Sequence, residues 1–353
     1  MNAEFISAIY EVGREKGIDP EILFQAIEDA LVSGYKRETG STDNVRVDMN
    51  KETGEIHVYA QCTVVEGEAE NASQISLEDA QAIDPQYEVD DIVQIEVTPR
   101  NFGRVAAINA KQIVMQRIRE AERGQVYERF SSRAQDIVNG VIQRMENRNV
   151  YIELDKNVEA ILSVNEQIPG EVYQAHERIK TYIVEVSKNN KKGPQIMVSR
   201  THPGLLKRLF ELEVPEIHDG IVEIKSVARE PGNRSKISVY TADENVDPVG
   251  ACVGQKGMRV QIIVNELRGE KIDIVKYSDD PAQYVANALS PAKVLETFIN
   301  EEEKICRVVV PNNQLSLAIG KEGQNARLAA KLTGWKIDIK SEDQAKAEAE
   351  AEE

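Results

Sequence analysis

Apolar side chains recur at helical spacing through the first part of the chain. Phe5, Ile9 and Val12 mark one stripe, and Leu23, Ile27, Ala30 and Leu31 mark a second after Asp19 and Pro20, an N-cap and a first-turn proline. The period then changes to two in "NVRVDM" and "EIHVYAQC", with the turn "KETG" between them, which predicts a hairpin. A further strand, "DIVQIEV", leads through Pro99 into a helical stretch over 101–130, so residues 1–132 read as an α+β domain with a long helix. From 133 to 200 five short strands follow: "DIVNGVIQRM", "NVYIEL", "VEAILS", "TYIVEV" and "QIMVSR", divided by turns such as "IPGE" and "KNNKKGP". That texture predicts a small closed barrel of the five-stranded OB type. In "NVYIEL" Val150, Ile152 and Leu154 face inward and Tyr151 outward.

After 200 one order of elements occurs twice: helix, two strands, short helix, glycine pair, helix, strand. The first copy runs through "PGLLKRLFEL", "GIVEIKSVAR", "RSKISVYTA", "DPVGACV", "MRVQIIVNELR" and "KIDIVKY", and Val260, Ile263, Val264 and Leu267 give its last helix a buried face. The second contains "LAIGKEGQNARLAAKLTGWKIDIK". Gly254 and Gly257 return as Gly320 and Gly323, Gly269 as Gly334, and both copies close on "KIDI", at offsets of 66 (320 minus 254) and 65 (336 minus 271). Such self-similarity marks a duplicated unit, over 201–278 and 279–340. The tail over 341–353, "SEDQAKAEAEAEE", reads as acidic and disordered or as a frayed helix.

The glycine pairs carry the chemistry. A residue without Cβ lets the backbone approach a sugar-phosphate, and a helix that starts directly after the loop points free N–H groups at the phosphate. This is the G-x-x-G loop of a KH domain, here in the type II order, which clamps about four nucleotides of a single strand. For one isolated pair a plain turn is the stronger reading; two copies in one structural context favour the clamp. Candidate RNA-binding residues are therefore Gly254, Gln255, Lys256, Gly257 and Arg259 in the first copy and Gly320, Lys321, Glu322, Gly323 and Arg327 in the second, with Glu322 weakening the latter. Replacing either glycine of a pair by Asp should weaken RNA binding without unfolding. Tyr151 is a candidate for stacking a base, against the alternative of a solvated strand tyrosine.

The net charge of −17 alters the picture until it is located. Residues 1–90 hold 6 basic and 20 acidic side chains and residues 341–353 hold 1 and 6, which leaves 91–340 at +2. Phosphate attraction fades over roughly 8 Å at physiological salt, so the acidic ends do not veto RNA binding by the middle. Cys62, Cys252 and Cys306 are odd in number and widely spaced, which implies a reducing cytoplasm and no CxxC site. His57, His176, His202 and His218 lack metal-ligand spacing, and no nucleophile or phosphate-loop signature occurs. No metal, no cofactor and no membrane span are expected.

The strings "VSRTHPGLLKRLFELEVPEI", "DPVGACVGQKGMRVQ", "DPAQYVANALSPA" and "AIGKEGQNARLAAKLTGW", with "AKQIVMQRIREAERG" further upstream, closely resemble the NusA family of bacterial transcription factors over nearly the whole chain. The resemblance implies an N-terminal domain that docks on RNA polymerase core enzyme, an S1-type barrel and two KH domains that hold nascent single-stranded RNA. It implies a monomeric, cytoplasmic, non-enzymatic factor that lengthens pauses, promotes hairpin-dependent termination and joins other antitermination factors. On a helical wheel of the long helix Arg104, Ile108, Lys111 and Met115 share one stripe and Ala106, Ala110, Ile113 and Ala121 another. The small-residue stripe is assigned to the core, and the resemblance favours polymerase or exiting RNA over an ordinary solvated face for the other. Only 13 residues follow Lys340, so contacts through the acidic repeats of some relatives are not expected. The alternatives are an accessory RNA-binding protein or an RNA-processing enzyme with KH and OB modules, such as a phosphorolytic exoribonuclease, for which the residues before the barrel are too few. A ribosome-bound structural protein would be basic, against the pI of 4.9.

Overall fold

A computed structural model describes residues 3–39, 44–71, 73–99, 102–188 and 193–352, and the chain divides into units 1–126 and 127–353. In the first, α1 (Ala3–Lys16) and α2 (Pro20–Thr39) bury Ile6, Ile9, Leu23, Phe24, Ile27 and Leu31 together. The carboxylate of Asp19 accepts from the amide of Glu21 at 3.0 Å, as the N-cap reading requires. β1 (Val45–Met49) and β2 (Ile56–Val65) form the antiparallel hairpin. β3 (Gln74–Ser76) pairs parallel to β2 and runs into α3 (Leu77–Ile83), which Ser76 caps; β4 (Ile92–Glu96) pairs antiparallel to β2. Neither β3 nor α3 was expected, since three and seven residues are too short to show a period.

α4 (Phe102–Ser131) crosses the boundary between the units. It places Ala110, Val114 and Ile118 in the core with Ile113 packed beside them, while Ile108 and Met115 stand 59% and 44% exposed. The small-residue stripe is thus the core side at Ala110 and Ile113, but Val114 and Ile118 supply most of its bulk.

In the second unit β5 (Ile137–Glu146), β6 (Asn149–Asp155), β7 (Val158–Leu162), β8 (Arg178–Ser187) and β9 (Gln195–Ser199) close into a barrel of order β5-β6-β7-β9-β8. Val150 and Ile152 are fully buried inside it. The lysine-rich turn at 188–194 falls largely outside the described residues. The first KH unit comprises α5 (Pro203–Glu213), α6 (Pro215–His218), β10 (Val222–Glu230), β11 (Arg234–Thr241), α7 (Pro248–Val253), α8 (Met258–Glu266) and β12 (Lys271–Lys276). The second comprises α9 (Pro281–Ala288), β13 (Glu296–Asn300), β14 (Ile305–Val310), α10 (Leu315–Ile319), α11 (Gln324–Thr333) and β15 (Lys336–Ser341). Each sheet pairs its first two strands antiparallel and its last two parallel.

These modules are fused. Ile137 and Tyr182 of the barrel belong to the apolar core of the first KH unit, and Tyr182 stacks on His202 at 4.6 Å. Ala228 and Val275 of the first KH sheet are in turn buried in one cluster with Tyr284, Val285 and Leu289 of the second unit. Ionic contacts run through both junctions. Arg200, 1% exposed, donates to Glu171 in the barrel at 2.6 Å and to the carbonyl of Glu266, at the end of α8, at 3.0 Å. Lys236, fully buried, donates to Asp273 and to the carbonyl of Ser290, each at 2.9 Å.

Buried carboxylates give this unit a defined response to acid. Burial disfavours charge on Glu270, but the Arg229 fork at 2.8 and 2.9 Å, the Ser235 hydroxyl and the Gly232 amide together outweigh it and hold the carboxyl below its ordinary 4.5. Asp273 is likewise desolvated and likewise held below its ordinary 3.8, by Arg234 and Lys236. The unfolded chain therefore takes up these protons first, so the stabilisation is full near neutral pH and is lost as pH falls through the ordinary values toward the folded ones. The urea midpoint should stay level from pH 7 to about 5 and drop below that, and Glu270→Gln should flatten the drop. An unchanged acid slope in that variant would show that the Arg229 pair is not its source.

The tail departs from the disordered reading. Glu342–Glu352 form α12, which packs on β14 and β15. Ser341 and Gln344 make a reciprocal capping box, at 3.0 and 3.3 Å, and the Ala/Glu-rich sequence after it has high helix propensity.

Candidate nucleic-acid interface

Both glycine loops have the same backbone. Gly254 and Gly320 sit at φ/ψ 73/177 and 77/174, Lys256 and Glu322 at 50/28 and 54/27, and Gly257 and Gly323 at 76/14 and 73/15. The second non-glycine position is thus left-handed in both copies, a conformation uncommon outside glycine, which implies that the surroundings enforce the shape. Side chains of His202, Asp247 and Asp280 cap α5, α7 and α9, but no side chain caps α8 or α11, the helices that follow the loops. The Met258 and Gln324 amides turn back to the carbonyls of Gln255 and Lys321, and no side chain competes with an anion for the positive end of either helix.

The candidate residues divide by role. Gln255, Lys256, Lys321 and Glu322 are exposed at the loop tips, so each loop presents one lysine and the second also a carboxylate. Arg259 is not a free phosphate ligand. Its guanidinium donates to Glu216 at 2.8 Å and to the carbonyl of Ala251 at 2.6 Å, and its stem packs where a Cβ on Gly254 would lie 2.6 Å away. Asn325, at the repeat offset of 66, does the same beneath Gly320 through the carbonyls of Ala318 and Leu289, both at 3.0 Å. Arg327 pairs with Glu230 of the first KH sheet at 2.6 Å and donates to the carbonyl of Glu322 at 3.0 Å. It locks the second loop to the first module.

Exposed apolar side chains flank the loops: Met258 and Ile262 on α8 at 65% and 49%, Leu317 and Ile319 on α10 at 47% and 37%. They fit the faces of unstacked bases, and the sequence carried a signal for the first pair, since both fall off the buried stripe of α8. On the barrel Tyr151 is partly exposed, and the Arg144 guanidinium lies over its ring at 4.2 Å while pairing with Glu159. One face of that ring is thus already occupied. On α4 Ile108, Lys111 and Met115 line one exposed groove with Arg119 and Arg123, whereas the side chain of Arg104 lies outside the described residues. The three cysteines are buried, and burial, aided by Glu216, pushes the Cys252 thiol up to about 12. Among the described residues no cluster of His, Cys, Asp and Glu could hold a metal ion, and no helix is long and apolar enough to cross a membrane.

Four family models match in tandem: the NusA N-terminal domain over residues 4–124, the S1 RNA binding domain over 132–193, the NusA-like first KH domain over 200–277 and the NusA-like second KH domain over 281–347. The transcription termination/antitermination protein NusA of Halalkalibacterium halodurans is 62% identical over 345 residues, 98% of this chain and 90% of that protein. Its counterpart in Bacillus subtilis is 62% identical over 346 residues, covering 98% and 93%, and that of Thermus thermophilus 42% identical over 348, covering 96% and 89%. With matching models along almost its whole length and relatives this similar end to end, the chain belongs to the NusA family of bacterial transcription termination/antitermination proteins.

Proposed function

We propose that this chain is a transcription elongation factor that docks on RNA polymerase through its N-terminal unit and holds nascent single-stranded RNA on the barrel and both KH loops. By doing so it modulates pausing, hairpin-dependent termination and antitermination, while catalysis stays with the polymerase. The observation that carries this reading is the pair of loops with one backbone geometry, each opening an uncapped helix, on modules fused into one unit. Fusion fixes the distance between successive RNA contacts, so the second and third contacts follow the first without further orientational loss. The loops supply a phosphate cradle of backbone amides, and the apolar residues beside them take bases without demanding one sequence.

Polymerase docking is assigned to the exposed stripe of α4, where Ile108 and Met115 alternate with Lys111 beside Arg119 and Arg123. Such apolar residues beside three cations, with Glu120 as the one carboxylate of the groove among the described residues, suit an acidic or mixed protein surface. Arg104→Glu combined with Lys111→Glu should reduce polymerase co-purification and abolish pause lengthening while leaving the RNA affinity of the full chain unchanged. Normal pausing in the double variant would remove this helix from the mechanism.

A further inference from the structure

The duplication allows one face of the molecule to be read from another. The strand registers place Ala228, Lys236 and Asp273 of the first KH sheet at the positions of Phe298, Arg307 and Asp338 in the second. In the first sheet this face is covered. Ala228 is 3% exposed, Lys236 is buried against Ser290 at the end of α9, and α11 packs on β10 and β11. In the second sheet Phe298 is 55% exposed, and the Arg307 and Asp338 side chains, 3.7 Å apart, are each about half exposed at 48% and 47%.

α12 covers only part of that second face. It packs on β14 and β15, where its Glu348 pairs with Lys340, the positional counterpart of Val275. Between α12 and β13 a groove of about 420 Å³ remains, floored by Leu295, Phe298 and Val309 and edged by Arg307 and Lys346. The first repeat carries two helices on this face, α9 and α11, whereas among the described residues the second carries α12 alone.

We propose that this groove seats an amphipathic α-helix of a polymerase subunit, laid beside α12 in the place that α11 takes on the first sheet. An extended apolar floor with charged edges is what a helix-in-groove contact requires. RNA is the poorer fit, because Glu296, Glu342 and Glu348 outnumber the two cations around the groove. The proposal rests on the reading that the chain works on a transcribing polymerase, and the test separates the two. A photocrosslinking residue is placed at position 298 or, separately, at 256 in the full chain, on a stalled complex assembled from purified polymerase core, DNA and labelled transcript. Position 256 should capture RNA and position 298 a polymerase polypeptide. Unlabelled Phe298→Asp chain, whose fold circular dichroism should show unchanged, should compete for the 298 crosslink about 5-fold less well than the unsubstituted chain, the loss of one modest anchor. If 298 captures only RNA, only a second copy of this chain, or nothing while 256 still captures RNA, the docking site is overturned and the functional reading stands. Silence at both positions overturns both.

Discussion

Arg200→Ala is expected to lower the stability of the C-terminal unit by about 3 kcal/mol, the lower end for a broken buried ion pair, because Glu171 then keeps only the partly exposed Arg268 at 3.1 Å and the Tyr173 hydroxyl at 2.7 Å. The guanidinium is 1% exposed and so is its partner Glu171. It donates to Glu171 at 2.6 and 3.3 Å, to the Lys180 carbonyl at 3.0 Å, and to the side chain and carbonyl of Glu266 at 3.3 and 3.0 Å. Truncation strands acceptors on both sides of the junction between barrel and first KH unit. Arg200→Lys keeps the charge but cannot make the planar fork, so it should recover only part of the loss. The measurement is urea unfolding followed by far-ultraviolet circular dichroism and by fluorescence of Trp335, the sole tryptophan. A loss below about 1 kcal/mol would place Arg200 with ordinary surface ion pairs and refute the junction's role in stability. Because α8 runs from the glycine loop to Glu266, the same substitution should also weaken RNA binding by loosening the alignment of barrel and loop.

Gly257→Asp should weaken single-stranded RNA binding by about 1–3 kcal/mol, roughly 5- to 150-fold, with the fold retained. At Gly257 the φ of +76 lies in the left-handed region that Asp tolerates better than most residues, and a Cβ there meets nothing within 4 Å. The new carboxylate stands beside Lys256 at the phosphate approach. Gly323→Asp should cost less, since Glu322 already offsets Lys321 in that loop. A larger loss from Gly323→Asp, with both variants folded, would reverse the ranking of the loops. The expectation that Asp at either glycine of a pair weakens RNA binding and leaves the fold alone meets a steric obstacle at the first glycine of each loop. A Cβ at Gly254 would come within 2.6 Å of the Arg259 stem, and one at Gly320 within 2.8 Å of the Asn325 backbone nitrogen. Variants at those two positions disturb the loop itself, so their RNA affinities report folding as well as contact.

Periodic elements were legible because each has one buried face. The helices at 3–35, all five barrel strands and the repeated KH order follow from spacing alone, as does the outward setting of Tyr151. What the sequence hides is assembly. Nothing in the local spacing marks Lys236, Arg229 and Arg200 for burial, yet all three are buried, since each meets its partner only when segments distant in sequence come together. Arg259 and Arg327 show the same limit from the other side. Position in a loop predicted a phosphate contact, and carboxylates 43 and 97 residues away claim them instead. The tail illustrates a third case: its charge suggested solvation, while the face it covers belongs to strands that the repeat alone could have revealed.

Single-round transcription by purified polymerase at a defined hairpin pause tests the central claim most directly, with the unsubstituted chain, Gly257→Asp and no added protein compared side by side. The unsubstituted chain should lengthen the pause, and Gly257→Asp should still co-purify with polymerase yet lengthen it far less. Pause lifetimes unchanged by the unsubstituted chain, or equally lengthened by both chains, would contradict a mechanism in which RNA held at the first KH loop acts on the transcribing enzyme.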